Sequence, residues 1–277
     1  MLSVESAIHL LRRELTVASL VKGALIGGVV LCVLVGPLVG WRNNAGVVLL
    51  GIGVAWLVLS YRSMKGSRWA ATSPGLIAAG QFEEAEHHIE QALRSFSLFR
   101  TVKLLSVHHL AVLRHAQRRW QDSAVLCRAL LGQRLGALQG LSRQSRLILA
   151  DALLEMGDVR GAYEAIAGLY EQRLSLGEAM NLLVVQLDYE ARVGAWGRMM
   201  ENVAAKAQLC ELMPAANAAR AQALLALAAK RTGRDDWAQW LRRRLELLAD
   251  VQRLASERPM LWEIWETPIR QQPATNN

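Results

Sequence analysis

Chemical handles are scarce in this chain. Its three cysteines, Cys32, Cys127 and Cys210, are an odd number at wide spacing, which excludes a disulfide framework and a CxxC metal knuckle. They read as reduced, small, buried thiols. Three Phe and four Tyr are too few for a single-stranded nucleic-acid platform, which stacks bases on exposed aromatics interleaved with basic residues, so no nucleic-acid partner is expected. No G-x-S-x-G, Walker loop or GxGxxG occurs, and the chain reads as a non-enzyme without a cofactor. Histidines do cluster, as His87-His88 and His108-His109 with His115 nearby. No HxxxH pair lies on one helix and no Cys or carboxylate stands at a fixed ligand spacing, so no metal site is expected. Acidic charge is nearly missing from residues 1–69, which hold seven basic residues against two acidic ones.

Apolar sequence is plentiful instead. Hydrophobic residues make up 52% of the 277 and the mean hydropathy is +0.17, high for a purely soluble protein. From Leu20 to Val39 the chain reads LVKGALIGGVVLCVLVGPLV, whose one charge, Lys22, is near enough to the end to snorkel. After Trp41-Arg42-Asn43-Asn44, Ala45 to Tyr61 adds seventeen uncharged residues. Soluble core helices rarely stay apolar all round for two consecutive segments, and a signal peptide would not be followed at once by a second span. Residues 20–61 therefore read as a transmembrane helical hairpin, preceded by an amphipathic helix over 1–19 and followed by a basic juxtamembrane linker over 62–72.

In the amphipathic stretch Val4, Ile8, Leu11 and Leu15 recur at helical spacing, for a helix that lies on the leaflet or packs on the soluble domain. Arg12, Arg13 and Lys22 precede the first span and Arg62, Lys65 and Arg68 follow the second, while the loop between has only Arg42. Excess basic charge stays on the cytoplasmic side, so both termini and the remaining domain are expected in the cytoplasm. Gly23/Gly27 and Gly36/Gly40 have the GxxxG spacing that lets helix backbones approach closely, between the two spans or with another subunit of a homo-oligomer or larger complex.

Beyond residue 72 the dominant feature is a repeat. Aligned on the glycine of "GQFEEAEHHIEQAL", the anchors are Gly80, Arg118, Gly157, Gly194 and Gly233, spaced 38, 39, 37 and 39 residues apart. Such a period marks a helical solenoid. Two places on come Phe82, Trp120, Val159, Trp196 and Asp235; five on, Ala85, Ser123, Ala162, Met199 and Ala238; nine on, Ile89, Cys127, Ile166, Val203 and Arg242. The anchor ends one helix in a left-handed turn, the bulky residue fills the corner, and the small one lets the next helix approach. Seven places before the last four anchors sit Ala111, Ala150, Leu187 and Ala226, again mostly small. In the first unit Glu83, Glu84, Glu86 and Glu90 read as a solvated face opposite Ala85, Ile89, Ala92 and Leu93.

With Gly80-x-Phe82-x-x-Ala85-x-x-x-Ile89-x-x-Ala92-Leu93, and more loosely Gly157 with Ala162 and Ile166, the chain resembles the tetratricopeptide repeat family over roughly residues 73–250. Its period is longer than that family's usual 34 or so. The resemblance implies a solenoid of about five helical hairpins, which with the two apolar spans before it makes an all-α fold, two membrane helices followed by a solenoid. It also implies a concave groove, lined by the first helix of each hairpin, that takes a peptide segment of another protein. Projected groove positions are His108, Val112 and His115; Gln144, Asp151 and Glu155; Asn181, Asp188 and Arg192; and Arg220, Lys230 and Arg231. They grade from acidic in the middle to basic at the far end.

Arg242-Arg243-Arg244 reads as a solvated face, with Leu241, Leu245 and Leu248 inward, or as a contact for phosphate or anionic lipid. Trp262 and Trp265 in "RPMLWEIWETPI" are placed to cap the open end of a solenoid running over 73–267, or to anchor a partner. A disordered tail is expected over 268–277. The reading is a membrane-anchored scaffold or adaptor for a protein partner; its rival is a structural subunit of a membrane complex held through the spans.

Overall fold

The computed structural model describes residues 2–34, 45–136 and 138–265. Among them every regular element is helical. The chain divides into two compact units, Met1–Met156 and Gly157–Asn277. Gly36, Gly40 and the expected tail lie outside the described residues.

Unit 1 begins with α1 (Val4–Leu34) and α2 (Ala45–Ala78), of 31 and 34 residues, about 46 and 51 Å long at 1.5 Å per residue. Both are long and apolar enough to cross a membrane. Their continuity changes the expected boundaries. The amphipathic stretch is the first half of α1, unbroken into the apolar half, and the expected linker over 62–72 is helix within α2. The first half of α1 packs on α3 (Phe82–Arg94), α4 (Arg100–Ala116) and α5 (Trp120–Leu131), burying Ala7 and Leu11. Of the two placements open to that stretch, the structure takes packing on α3, α4 and α5.

Pro74 lies inside α2 and has no N–H to offer the Ala70 carbonyl one turn back. His109 of α4 hydrogen-bonds the Ala70 backbone instead. Ser63, also on α2, accepts from the Leu98 N–H at 2.8 Å. Unit 1 closes with α6 (Gln139–Glu155), which packs on α4 and α5.

Unit 2 contains α7 (Val159–Tyr170), α8 (Leu176–Arg192), α9 (Trp196–Met200), α10 (Val203–Glu211), α11 (Ala215–Arg231), α12 (Asp235–Leu248), α13 (Val251–Glu257) and a 3-10 turn, Pro259–Ile264. Caps fix two starts. Asp158 accepts from Gly161 N–H at the head of α7, and Ser175 and Glu178 form a reciprocal capping box on α8. Helix α11 is alanine-rich and buried continuously from Ala221 to Ala229, and it is contacted by α8, α9, α10, α12 and the 3-10 turn. Small side chains on every face allow that many neighbours to approach.

All five repeat anchors adopt left-handed backbone: Gly80 at φ +76°, Arg118 at +60°, Gly157 at +79°, Gly194 at +71° and Gly233 at +68°. At Gly80, Arg118, Gly194 and Gly233 the next residue's N–H reaches back to the carbonyl five before its anchor's neighbour, as in Gln81 to Leu76 (2.9 Å) and Arg119 to Arg114 (2.8 Å), the paired bonds of a Schellman turn. The offsets hold too. Ala85, Ser123, Ala162 and Met199 are buried, as are Ile89, Cys127, Ile166 and Val203, and Ala111, Ala150, Leu187 and Ala226. Ser123 Oγ donates to the Ala111 carbonyl at 2.9 Å, tying α5 to α4 across one corner.

Three expectations are corrected. Glu86 is buried, because the face of α3 that carries it is covered by α1 and α4. Leu248 is exposed, because α12 ends there and only Leu241 and Leu245 reach the core. Trp262 is exposed as well, and Leu261 and Ile264 are the residues that bury themselves beside Trp265. The fourth hairpin also breaks unexpectedly. Between α9 and α10 Asn202 turns left-handed at φ +52°, and Lys206 Nζ donates to the freed carbonyls of Arg198 (2.9 Å) and Met199 (3.0 Å).

Candidate functional site

The projected groove residues fall on adjacent helices within each unit. In unit 1, His108 and His115 stand two turns apart on α4, and Gln144 and Asp151 stand two turns apart on α6, which packs against it. His108 Nδ1 shares a hydrogen bond with Ser145 Oγ at 3.0 Å, and Gln144 bonds the same ring. His115 Nε2 lies 2.9 Å from Asp151 Oδ2, with its ring edge-on to Trp120 at 4.8 Å. Glu155 and Val112 are half-buried and Gln144 is exposed.

Burial removes His108 from any open groove. It pushes the imidazole down to about 4, helped by neighbouring His109 and opposed by the Gln144 hydrogen bond. The other histidines are dispersed: His87 bonds Gln91 at 2.6 Å, while His88 bonds Thr72 at 2.9 Å and meets the edge of Trp69.

In unit 2, Asn181 on α8 accepts from Asn217 on α11 at 3.1 Å. Asp188, also expected at an open surface, is completely buried. Its carboxylate accepts from Arg220 Nη2 at 2.6 Å and from Arg258 Nη1 at 2.8 and 2.9 Å, with Arg192 Nε at 3.5 Å. Lys230 Nζ donates to the Glu263 carbonyl. Arg231 holds the Glu263 carboxylate through Nε (3.1 Å to each oxygen) and Nη2 (2.6 Å), and its guanidinium stacks on Trp196 at 4.5 Å. The expected basic end is therefore engaged by the chain's own C-terminal segment, which no periodicity in the sequence announces.

A second polar constellation joins α1 to the helices below it. Arg114 is fully buried and donates to Glu86 Oε1 (2.9 Å) and Oε2 (3.1 Å), to the Leu2 carbonyl (2.9 Å) and to Gln117 (2.8 Å). Glu86 in turn accepts from the Leu2 N–H at 2.8 Å. Burial alone would push the Glu86 carboxyl up, but the Arg114 and Leu2 hydrogen bonds outweigh it and hold it below its usual value. Lys103 is equally buried. Its Nζ donates to the carbonyls of Ala92 (3.1 Å), Leu93 (2.6 Å) and Ser95 at the end of α3, with Glu14 of α1 at 3.6 Å. A cation there complements both the unpaired carbonyls and the negative end of the helix dipole.

Comparison with protein-family models, curated proteins and solved structures finds no match. The functional reading therefore rests on these residues.

Proposed function

We propose that the chain is a membrane-anchored, tetratricopeptide-like adaptor. On this reading its two apolar helices cross the bilayer, with both termini cytoplasmic, and facing polar residues on first helices of successive hairpins engage a segment of a protein partner. The observation that carries the anchor is the surface of α1 and α2. Only 11% and 6% of their most apolar windows are buried, and Leu20, Ile26, Leu31, Leu34, Leu50 and Leu57 point outward. A soluble core helix would be covered, and lipid is the medium that accepts such a surface. The five left-handed corners at 37–39 residue spacing support the solenoid reading. Gln144 and Asn181, both exposed projected groove positions, are reachable by a partner.

Site-specific photocrosslinking in cells tests the adaptor. A crosslinkable residue at Gln144 or Asn181 should form adducts with one protein partner, and one at exposed Arg160 or Glu164 should not. Equal adducts at all four positions would remove the groove reading.

One observation favours the rival, a structural subunit assembled through its spans. Gly28 meets Ile52 of α2, with a Cβ there only 3.2 Å from Ile52 Cδ1, whereas a Cβ at Gly23 or Gly27 would meet nothing within 4 Å beyond its chain neighbours and its own helix backbone. That GxxxG face is left open for another helix. Adducts confined to crosslinkers at Gly23 or Gly27 would select the rival.

A further inference from the structure

The segment that engages the basic end of unit 2 has the order of a bound ligand. Arg258 reaches the buried Asp188. Three residues on, Leu261 is buried in the core of α11, and Ile264 follows it there. Between them Glu263 is held by Lys230 and Arg231. The receiving surface is thus a carboxylate at one end, an apolar floor, and two cations at the other.

Apart from the buried Arg258–Asp188 pair, what holds the segment is modest. It is a 3-10 helix of six residues, about two turns, a form that does not persist by itself. The Arg231–Glu263 pair is partly exposed, Trp262 faces solvent, and two aliphatic side chains supply the full burial. It also hangs on a joint: α12 ends at Leu248, Ala249 is extended (φ −149°, ψ 156°), and α13 restarts on an Asp250 cap.

We propose that the surface from Asp188 to Arg231 is a peptide-recognition site closed in cis by Arg258–Trp265. The partner it takes carries the same order: a basic residue, an aliphatic three places on, an acidic residue five on and an aliphatic six on. This rests on the groove reading above, and it names the ligand chemistry that reading leaves open. A tethered segment competes at high effective concentration, so an external peptide gains access when the cis anchors are weakened.

The test uses the full chain in detergent micelles and a fluorescein-labelled synthetic peptide of residues 256–265, read by anisotropy. The Arg258→Ala/Glu263→Ala variant should bind this peptide at least ten-fold more tightly than the unaltered chain, and adding Arg231→Glu should lose at least ten-fold. Absent binding to a double variant of unchanged helicity, or equal affinity for both chains, overturns the proposal. Should the double variant lose its melting transition, hydrogen exchange on the unaltered chain decides. Amides of 260–265 exchanging at least ten-fold faster than those of 222–229 support a detachable segment, and equal protection makes it a fixed part of the core. Peptide binding without crosslinks from Gln144 or Asn181 keeps this site and removes the adaptor; crosslinks without peptide binding do the reverse.

Discussion

Glu86 shows how a single residue can reverse its apparent role. By spacing it belongs with Glu83 and Glu84 on a charged helix face, yet it is buried against a fully buried arginine. Removing one partner of a buried ion pair strands the other charge, so Glu86→Ala should cost about 3–5 kcal/mol in denaturant unfolding, against less than about 0.5 for Glu84→Ala on the exposed side. Equal costs would contradict the buried pair. His108 has a signature in pH. Its folded-state value, about 4, lies below the unfolded one near 6.5, so between those values the unfolded chain binds more protons and stability falls as pH drops. The loss should approach 3 kcal/mol by pH 4, and His108→Gln should flatten the slope; an unchanged slope would place the titration elsewhere.

At the scale of elements, the corners and the two long apolar helices were the most legible parts. A left-handed turn needs a residue that tolerates positive φ, and a spanning helix needs a long uncharged run, so both leave local marks. Arg118 carries the register without the glycine, and a side chain in that conformation is strained by about 1–2 kcal/mol. Arg118→Gly should therefore raise stability by about 0.5–1 kcal/mol after the flexibility glycine adds to the unfolded chain, and a loss of stability would mean that the arginine's own contacts outweigh the strain. What stayed illegible was non-local. The break between α9 and α10 has no proline to mark it, and its freed carbonyls are satisfied by Lys206. The burial of Glu86 depends on α1, some eighty residues earlier. The candidate groove was half legible: the projected register included His115, Asp151, Asn181 and Asp188, but not the His115–Asp151 and Asn181–Asn217 contacts or the sealing of Asp188 by Arg220 and Arg258, all of which join residues more than thirty positions apart.

For the whole molecule the proposed function turns on which side of a membrane each part occupies. On the proposed topology a cysteine at Asn43 should react with a membrane-impermeant maleimide added to intact cells, and one at Gln271 should react only after permeabilisation. The three native thiols are buried and give little background. Labelling of the two sites in the reverse order would turn the protein inside out and end the cytoplasmic adaptor reading.

The clamp on Leu2 also fixes an order of events during synthesis. Its backbone partners, Glu86 and Arg114, follow 84 and 112 residues later. At about 5–20 residues per second the ribosome needs roughly 6–22 s to travel from Leu2 to Arg114. Through that interval the first turns of α1 have no clamp to close on, while both apolar helices are already translated. On the proposed membrane reading, docking of α1 onto α3 and α4 is then the later event, and it closes on a topology set before the clamp can form.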